Sequence, residues 1–179
     1  VTTMDIDITP DFISAAERAA LIDWANNAKL VVRNQPDHLL DREKNADIKP
    51  TSGLRKSTFI YEDDGPQEFY DIQARITEKY GLQDVMPDGR QGKVITHEVD
   101  AETPNHIDFY KHIGPGYTRG ILLVHKPEAG GLSWIDGEWF ELPERGLVMF
   151  DSSLPHAVSL ITAGKRIIFG YGWKSERVN

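Results

Sequence analysis

A mainly β domain with helices flanking it is the fold class this sequence predicts, and three observations predict it. From Lys93 onward, short apolar runs at 94–99, 107–110, 120–124, 132–135, 147–150, 157–161 and 167–173 are separated by Gly, Pro and Asp. Regular short strands punctuated by turn signals indicate a β-sandwich or a closed barrel. Ahead of them, two stretches carry the apolar period of a helix rather than that of a strand. The chain has 179 residues, 40% hydrophobic and 27% charged, enough for one sizeable core and too few for two ordinary domains.

In chain order, Ile6 and Ile8 alternate with polar and acidic residues and predict a short first strand. Ser14-Ala15-Ala16-Glu17 is a capping-box pattern, and Leu21, Trp24, Ala25 and Ala28 follow at helical spacing, so a helix is expected over about 13–29. Residues 34–52 hold Pro36, Pro50 and several Asp and Asn, with little periodicity. So long a loop in a small domain suggests a lid or binding loop. Leu54 to Tyr61 reads as a strand with Thr58 and Ile60 on one face. After Gly65-Pro66, the positions of Phe69, Ile72, Ile76 and Tyr80 predict a second helix that stops at Gly81. Pro87-Asp88-Gly89 signals a turn. Trp134 to Trp139 predicts a hairpin around Asp136-Gly137, a pair that tolerates positive φ at both central positions. The expected core comprises Leu21, Trp24, Phe59, Phe69, Ile76, Ile121, Leu123, Val148, Phe150, Val158 and Ile168.

Charge and composition narrow the function. The net charge is −8, which opposes a broad nucleic-acid or anionic-membrane surface. No cysteine is present, so disulfides, zinc ribbons and thiol nucleophiles are excluded. The opening Val1-Thr2-Thr3-Met4-Asp5 is polar and acidic, with no signal-peptide pattern, and no apolar run reaches the ~18 residues of a membrane span. A cytoplasmic protein is the expectation.

The residues from Asn105 to Trp173 carry the chemistry. His106 and Asp108 stand at i, i+2, a spacing that puts both side chains on one face of an extended strand. His156 must be brought back to them by folding. Two imidazoles and a carboxylate suffice for a divalent transition metal, holding one face of an octahedron and leaving three positions open. His112 shares strand parity with His106, and it and His125 compete as ligands. Arg166 follows His156 by ten residues, with Lys165 beside it and Trp173 beyond.

This set, His106-x-Asp108, then His156, then Arg166, resembles the Fe(II)/2-oxoglutarate-dependent oxygenases, and within them the prolyl 4-hydroxylase-like branch. Arg119 before Ile121-Leu122-Leu123-Val124, the Glu128-Ala129-Gly130-Gly131 hairpin, Gly146 to Phe150 and Gly164-Lys165-Arg166 are each similar to that family's strands and turns. Leu54-Arg55-Lys56-Ser57 is similar to a basic strand ahead of its barrel. The resemblance implies a double-stranded β-helix (jelly-roll, cupin-like) with two N-terminal helices packed outside. It implies one catalytic domain over 1–179, with 1–92 as support and 93–174 as the core. It implies Fe(II) on His106, Asp108 and His156, with 2-oxoglutarate and O2 as cosubstrates. Arg166 would bind the far carboxylate of 2-oxoglutarate, since arginine stays charged and binds carboxylate through two parallel bonds. Thr96, His97 and Thr118 are candidates to complete that pocket.

The implied reaction is decarboxylation of 2-oxoglutarate to succinate and CO2, coupled to hydroxylation of a peptidyl proline, a free amino acid or another amino-acid-type molecule. With Asp108 present the resemblance is to hydroxylases rather than to halogenases, which have a small residue there. Arg55, Arg119, Trp134, Trp139 and the 34–52 loop are candidates for the substrate entrance, and Arg55 and Arg119 could pair a substrate carboxylate. His97 and Thr103 stand where the family often has tyrosines, Leu132-Ser133 where it has Glu-Thr, and Trp173 one residue further from Arg166 than is common. That last offset leaves open a bulge or a role for Lys165. The competing expectations are a non-catalytic barrel and a cupin-type metal-binding barrel that uses no 2-oxoglutarate. A nucleic-acid demethylase is opposed by the acidic balance.

Overall fold

The computed structural model describes residues 5–33, 53–82, 84–85, 90–110, 114–115 and 117–174. Its elements in order are β1 (Asp7–Thr9), α1 (Ala15–Asn27), β2 (Val31–Val32), β3 (Arg55–Tyr61), α2 (Gln67–Tyr80), β4 (Asp84–Val85), β5 (Arg90–His97), β6 (Thr103–His106), β7 (Phe109–Tyr110), β8 (Gly114–Pro115) and β9 (Thr118–His125). β10 (Ala129–Gly130), β11 (Ser133–Ile135), β12 (Glu138–Phe140), β13 (Leu147–Asp151), β14 (His156–Val158), β15 (Ile161–Ala163) and β16 (Arg166–Lys174) complete it. The 34–52 loop, the Pro87-Asp88-Gly89 turn and His112 lie outside the described residues.

Both helices begin and end where local chemistry dictates. Ser14 accepts a hydrogen bond from the Glu17 amide, and the Glu17 side chain accepts from the Ser14 amide, completing the capping box of α1. α2 stops at Gly81, whose left-handed backbone (φ 62°) lets the last turn close. Asp136 and Gly137 both take positive φ, 47° and 92°, in the turn that joins β11 to β12.

The large sheet has eight strands, ordered β1-β13-β9-β16-β5-β3-β2 with β4 also on β16; a four-stranded sheet, β12-β11-β14-β6, forms a second layer. Among the described residues every pairing is antiparallel. Strand alternation divides the large sheet's side chains between two cores. Val94, Leu122, Val124, Leu147, Met149, Ile167, Phe169, Tyr171 and Trp173 face α1 and α2, against Leu21, Ala25, Phe69, Ile72 and Ile76. Ile95, Ile121, Leu123, Val148, Phe150 and Ile168 face the other way, against Ile135 of the small sheet. The helices therefore close one side of the large sheet and leave the other to build a cavity.

The expected core differs from the observed one at three residues. Trp24 is half-buried, its ring tilted against Phe169 at 6.0 Å, because it sits at the rim of α1. Phe59 and Val158 are also half-buried, because they face the cavity side rather than a filled core. β16 pairs with β5 without a break from Arg166↔His97 to Tyr171↔Gly92, while its pairing with β9 shifts register between Ile167 and Ile168, an irregularity of the kind the Arg166–Trp173 spacing left open. Seven residues from Arg166 is an odd offset, which puts Trp173 on the opposite face. There its Nε1–H donates to Thr77 Oγ1 at 3.0 Å, and its ring stacks with Tyr171, which stacks on Phe69 at 4.5 Å.

Candidate metal centre and its cavity

β6 and β14 are neighbours, and His156 is the direct cross-strand partner of His106. Pairing thus returns the distant histidine to the first one, with ring centroids 4.3 Å apart. β6 ends at His106, and Asp108 is held by another device: its amide donates to the Ser152 carbonyl at 3.0 Å. Ser152, fully buried, also accepts from the Tyr117 amide through Oγ. One serine thereby ties the Asp108 loop to the segment preceding His156.

The ligand atoms of His106, Asp108 and His156 all lie within 4.8 Å of one another, and all three residues are buried. Each histidine directs Nδ1 at a carbonyl two residues back, His106 at Pro104 (2.7 Å) and His156 at Leu154 (2.8 Å). A carbonyl only accepts, so Nδ1 carries the proton and Nε2 offers its lone pair. Both Nε2 atoms face the Asp108 carboxylate, at 3.5 and 3.6 Å. Two imidazole lone pairs and one carboxylate converging on one point make a donor set that fits a divalent transition metal. Among the described residues no other cluster of this kind occurs. His125 takes no part, since its Nδ1 is engaged by the Lys165 carbonyl at 2.7 Å.

Tyr117 and Arg119 also reach Asp108. Tyr117 Oη donates to Asp108 Oδ2 at 2.9 Å, and Arg119 Nη1 donates to the same oxygen at 3.1 Å. Burial alone would push the Asp108 carboxyl up. The Arg119 guanidinium outweighs burial and holds it well below the usual carboxylate range. The carboxylate is thus ionised and oriented, as a metal ligand must be.

The trio opens into a cavity between the two sheets. Arg166, 2% exposed, stands in its wall and donates through Nη2 to Ser133 Oγ at 3.4 Å. Burial first, then the Arg55 and Arg119 guanidinium groups, lower its pKa to about 10, so it keeps its charge at neutral pH. Among the described residues the lining carries four cations, Arg55, Lys93, Arg119 and Arg166, against one carboxylate, Asp108, inside a chain whose net charge is −8.

No family model and no curated protein sequence matches the chain. Solved structures do. The chain resembles a viral collagen prolyl hydroxylase from Paramecium bursaria Chlorella virus-1 in complex with 2OG, at 13% identity over 93% of this chain and 94% of that one, with a TM-score of 0.65. It resembles a Trichoplax adhaerens prolyl hydroxylase bound to a hypoxia inducible factor peptide fragment, at 12% identity over 94% and 83%, TM-score 0.65. It also resembles HygX from Streptomyces hygroscopicus with nickel, 2-oxoglutarate and hygromycin B, at 10% identity over 99% and 85%, TM-score 0.66. The fold is that of the Fe(II)/2-oxoglutarate oxygenases.

Within this oxygenase fold, the positions named from sequence separate by strand parity. Arg55, His97, Arg119, Trp134 and Arg166 all line the cavity with the three metal-ligand candidates. Thr96 and Thr118 do not. Each neighbours an inward-facing residue on its strand (His97 and Arg119), so each points to the helix side. Lys165 precedes β16 and lies outside the lining; Trp139, 57% exposed, sits away on its hairpin. Arg119 is committed to Asp108 rather than standing at an entrance. Sequence reasoning missed Lys93, Tyr117, Ser133 and Ser152 as site residues. Lys93 was within reach, at i−4 from His97 on the same strand face; Ser152 acts through a backbone contact that no spacing reveals.

His97 brings an imidazole into the cavity wall. Its Nε2 bonds to Thr103 Oγ1 at 2.8 Å. Burial, then the Arg166 and Arg55 charges, hold the imidazole well below its usual range. The folded protein therefore binds no proton at His97 where the unfolded chain, with a pKa of ~6.5, does. Stability on this account is full above that value and declines as pH falls below it, by up to ~1.4 kcal/mol per pH unit. Chemical unfolding of the metal-free protein between pH 8 and 5 should show wild type losing stability faster than His97→Gln. Parallel profiles would refute the assignment.

Proposed function

We propose that the chain is an Fe(II)- and 2-oxoglutarate-dependent dioxygenase that hydroxylates an unactivated C–H of a peptidyl proline or another amino-acid-type substrate, with residues 1–92 supporting a catalytic core at 93–174. The observation that carries this reading is one cavity holding both a three-ligand metal site, His106, Asp108 and His156, and a buried arginine, Arg166. A metal bound by three protein groups keeps three positions open, and a dicarboxylate cosubstrate needs a fixed cation at its far end.

Bound there, iron and 2-oxoglutarate would supply the oxidising power for hydroxylation, releasing succinate and CO2. The chain's own part is positional. Arg166 and Ser133 hold the distal carboxylate, and His97 and Arg55 stand on the neighbouring strands, paired with each other. Ile95, Ile121, Phe150 and Ile168 keep water from the reacting centre. Arg119 and Tyr117 fix the carboxylate of Asp108. The peptide carried by the Trichoplax enzyme and the hygromycin B carried by HygX support a substrate that is either a peptide or a small molecule.

The test is anaerobic titration of the Fe(II)-loaded protein with 2-oxoglutarate, following the weak visible charge-transfer band of the chelate. The band is expected in wild type and is expected to vanish in His106→Ala, together with stoichiometric metal binding. Metal binding without a band would move the protein to the metal-binding barrel that uses no cosubstrate.

A further inference from the structure

Between β13 and β14 the chain makes a short turn, Asp151 to Leu154, that is closed on itself. Asp151 Oδ1 accepts from the Ser153 amide at 2.9 Å and from Ser153 Oγ at 2.7 Å, and the Leu154 amide donates to the Asp151 carbonyl at 3.0 Å. Bonds from this one turn run to two of the three metal-ligand candidates. The Leu154 carbonyl accepts from His156 Nδ1, and the Ser152 carbonyl accepts from the Asp108 amide. We infer that Ser152 is a positioning residue for the metal centre, acting through Tyr117 to set the Asp108 carboxylate in its ligating place before a metal arrives. The role presupposes the metal site of the function proposed above.

Asp108 lies between β6 and β7, outside both ladders, so its direction has to come from contacts other than strand pairing. Ser152, fully buried, supplies them through a closed circuit. Its amide donates to the Tyr117 carbonyl at 2.9 Å, and its Oγ accepts from the Tyr117 amide at 3.0 Å, a grip on both sides of one residue. Its carbonyl holds the Asp108 amide at 3.0 Å. Tyr117 Oη then donates to Asp108 Oδ2 at 2.9 Å and completes the ring of contacts. One residue thus anchors the backbone at both ends of the hydrogen bond that orients the carboxylate.

The side chain of Ser152 has one part in this circuit that a substitution can remove. Without Oγ, the buried Tyr117 amide loses that acceptor, and a buried amide left unpaired is costly enough to shift the backbone that carries it. Tyr117 is 2% exposed, and its Oη stands at the far end of a rigid ring. A small tilt of the backbone is therefore magnified where the ring meets Asp108. The Ser152 carbonyl stays in place in Ser152→Ala, so the bond to the Asp108 amide serves as the internal control.

Co(II) titration of metal-free protein, followed by the visible absorption of the bound ion, tests this under conditions where each variant is folded. Ser152→Ala and Tyr117→Phe are each expected to weaken Co(II) about tenfold, the lower end of the usual loss for a group that orients a ligand. The double variant Ser152→Ala/Tyr117→Phe should be no more than about twofold weaker than the weaker single variant, because both changes break the same contact with Asp108. Both single variants should shift the Co(II) bands in the same direction. Ser152→Ala that loses stability in urea yet keeps its Co(II) affinity and bands overturns the inference, as do fully additive losses in the double variant. Unchanged affinity in Tyr117→Phe overturns it whether or not Ser152→Ala folds. If Co(II) binding depends on Ser152 and Tyr117 as expected but Fe(II) and 2-oxoglutarate give no chelate band, the oxygenase reading fails and the positioning role stands. Wild type that binds no Co(II) overturns both.

Discussion

Arg166→Met is expected to bind 2-oxoglutarate at least thirtyfold more weakly than wild type while making the metal-free protein harder to unfold. The two effects share a cause. Arg166 is buried, its described hydrogen bond is the one to Ser133 at 3.4 Å, and its pKa is lowered first by burial and then by Arg55 and Arg119. Without cosubstrate, folding places a desolvated cation among other cations. Exchanging a buried charge for an apolar side chain of similar volume is often stabilising by about 1–4 kcal/mol. With cosubstrate, the same cation meets a carboxylate, and truncating one partner of such a pair costs about 2–5 kcal/mol, which is thirtyfold at the lower bound. Urea unfolding of metal-free protein and the anaerobic chelate titration read the two arms. A variant less stable than wild type, or one that keeps its cosubstrate affinity, would remove Arg166 from the role.

How much of this was legible in the sequence depends on which force sets each feature. The cap at Ser14, the stop at Gly81 and the Asp136-Gly137 turn are local, and local chemistry determined them correctly. The ligand trio was legible because a strand spacing and a paired return strand leave residue types that do little else together. Cavity membership turned on parity. Wherever an odd offset was weighed as a neighbour, as with Thr96, Thr118 and Trp173, the residue fell on the helix side of the sheet. Parity was available from the alternation of β5 and β16, and applying it to the strand rather than to the motif would have replaced Thr96 with Lys93. The contacts of Ser152 and Tyr117 to the Asp108 segment were not available. They join a loop to a loop across the barrel, and no periodicity encodes that.

Those contacts give the other large expected effect, in Arg119→Met. Asp108 is 1% exposed and Arg119 is 8% exposed, with Nη1 3.1 Å from Oδ2. Removing the guanidinium leaves the carboxylate buried without that counter-charge, while Tyr117 Oη still donates to it. Breaking a buried ion pair from one side costs about 3–5 kcal/mol, so the metal-free variant should unfold well below wild type. A divalent cation supplies the missing counter-charge, so saturating Co(II) or Zn(II) should recover most of that difference through preferential binding to the folded form. Affinity should nonetheless fall about 10–100-fold, the usual cost of losing a group that orients a ligand. The double variant Asp108→Asn/Arg119→Met separates charge from packing. If the loss comes from a stranded carboxylate, the double variant regains stability over Arg119→Met without regaining metal affinity. If it is as unstable as the single variant, Arg119 supports the barrel by packing alone, and its contact with Asp108 is incidental to the metal centre.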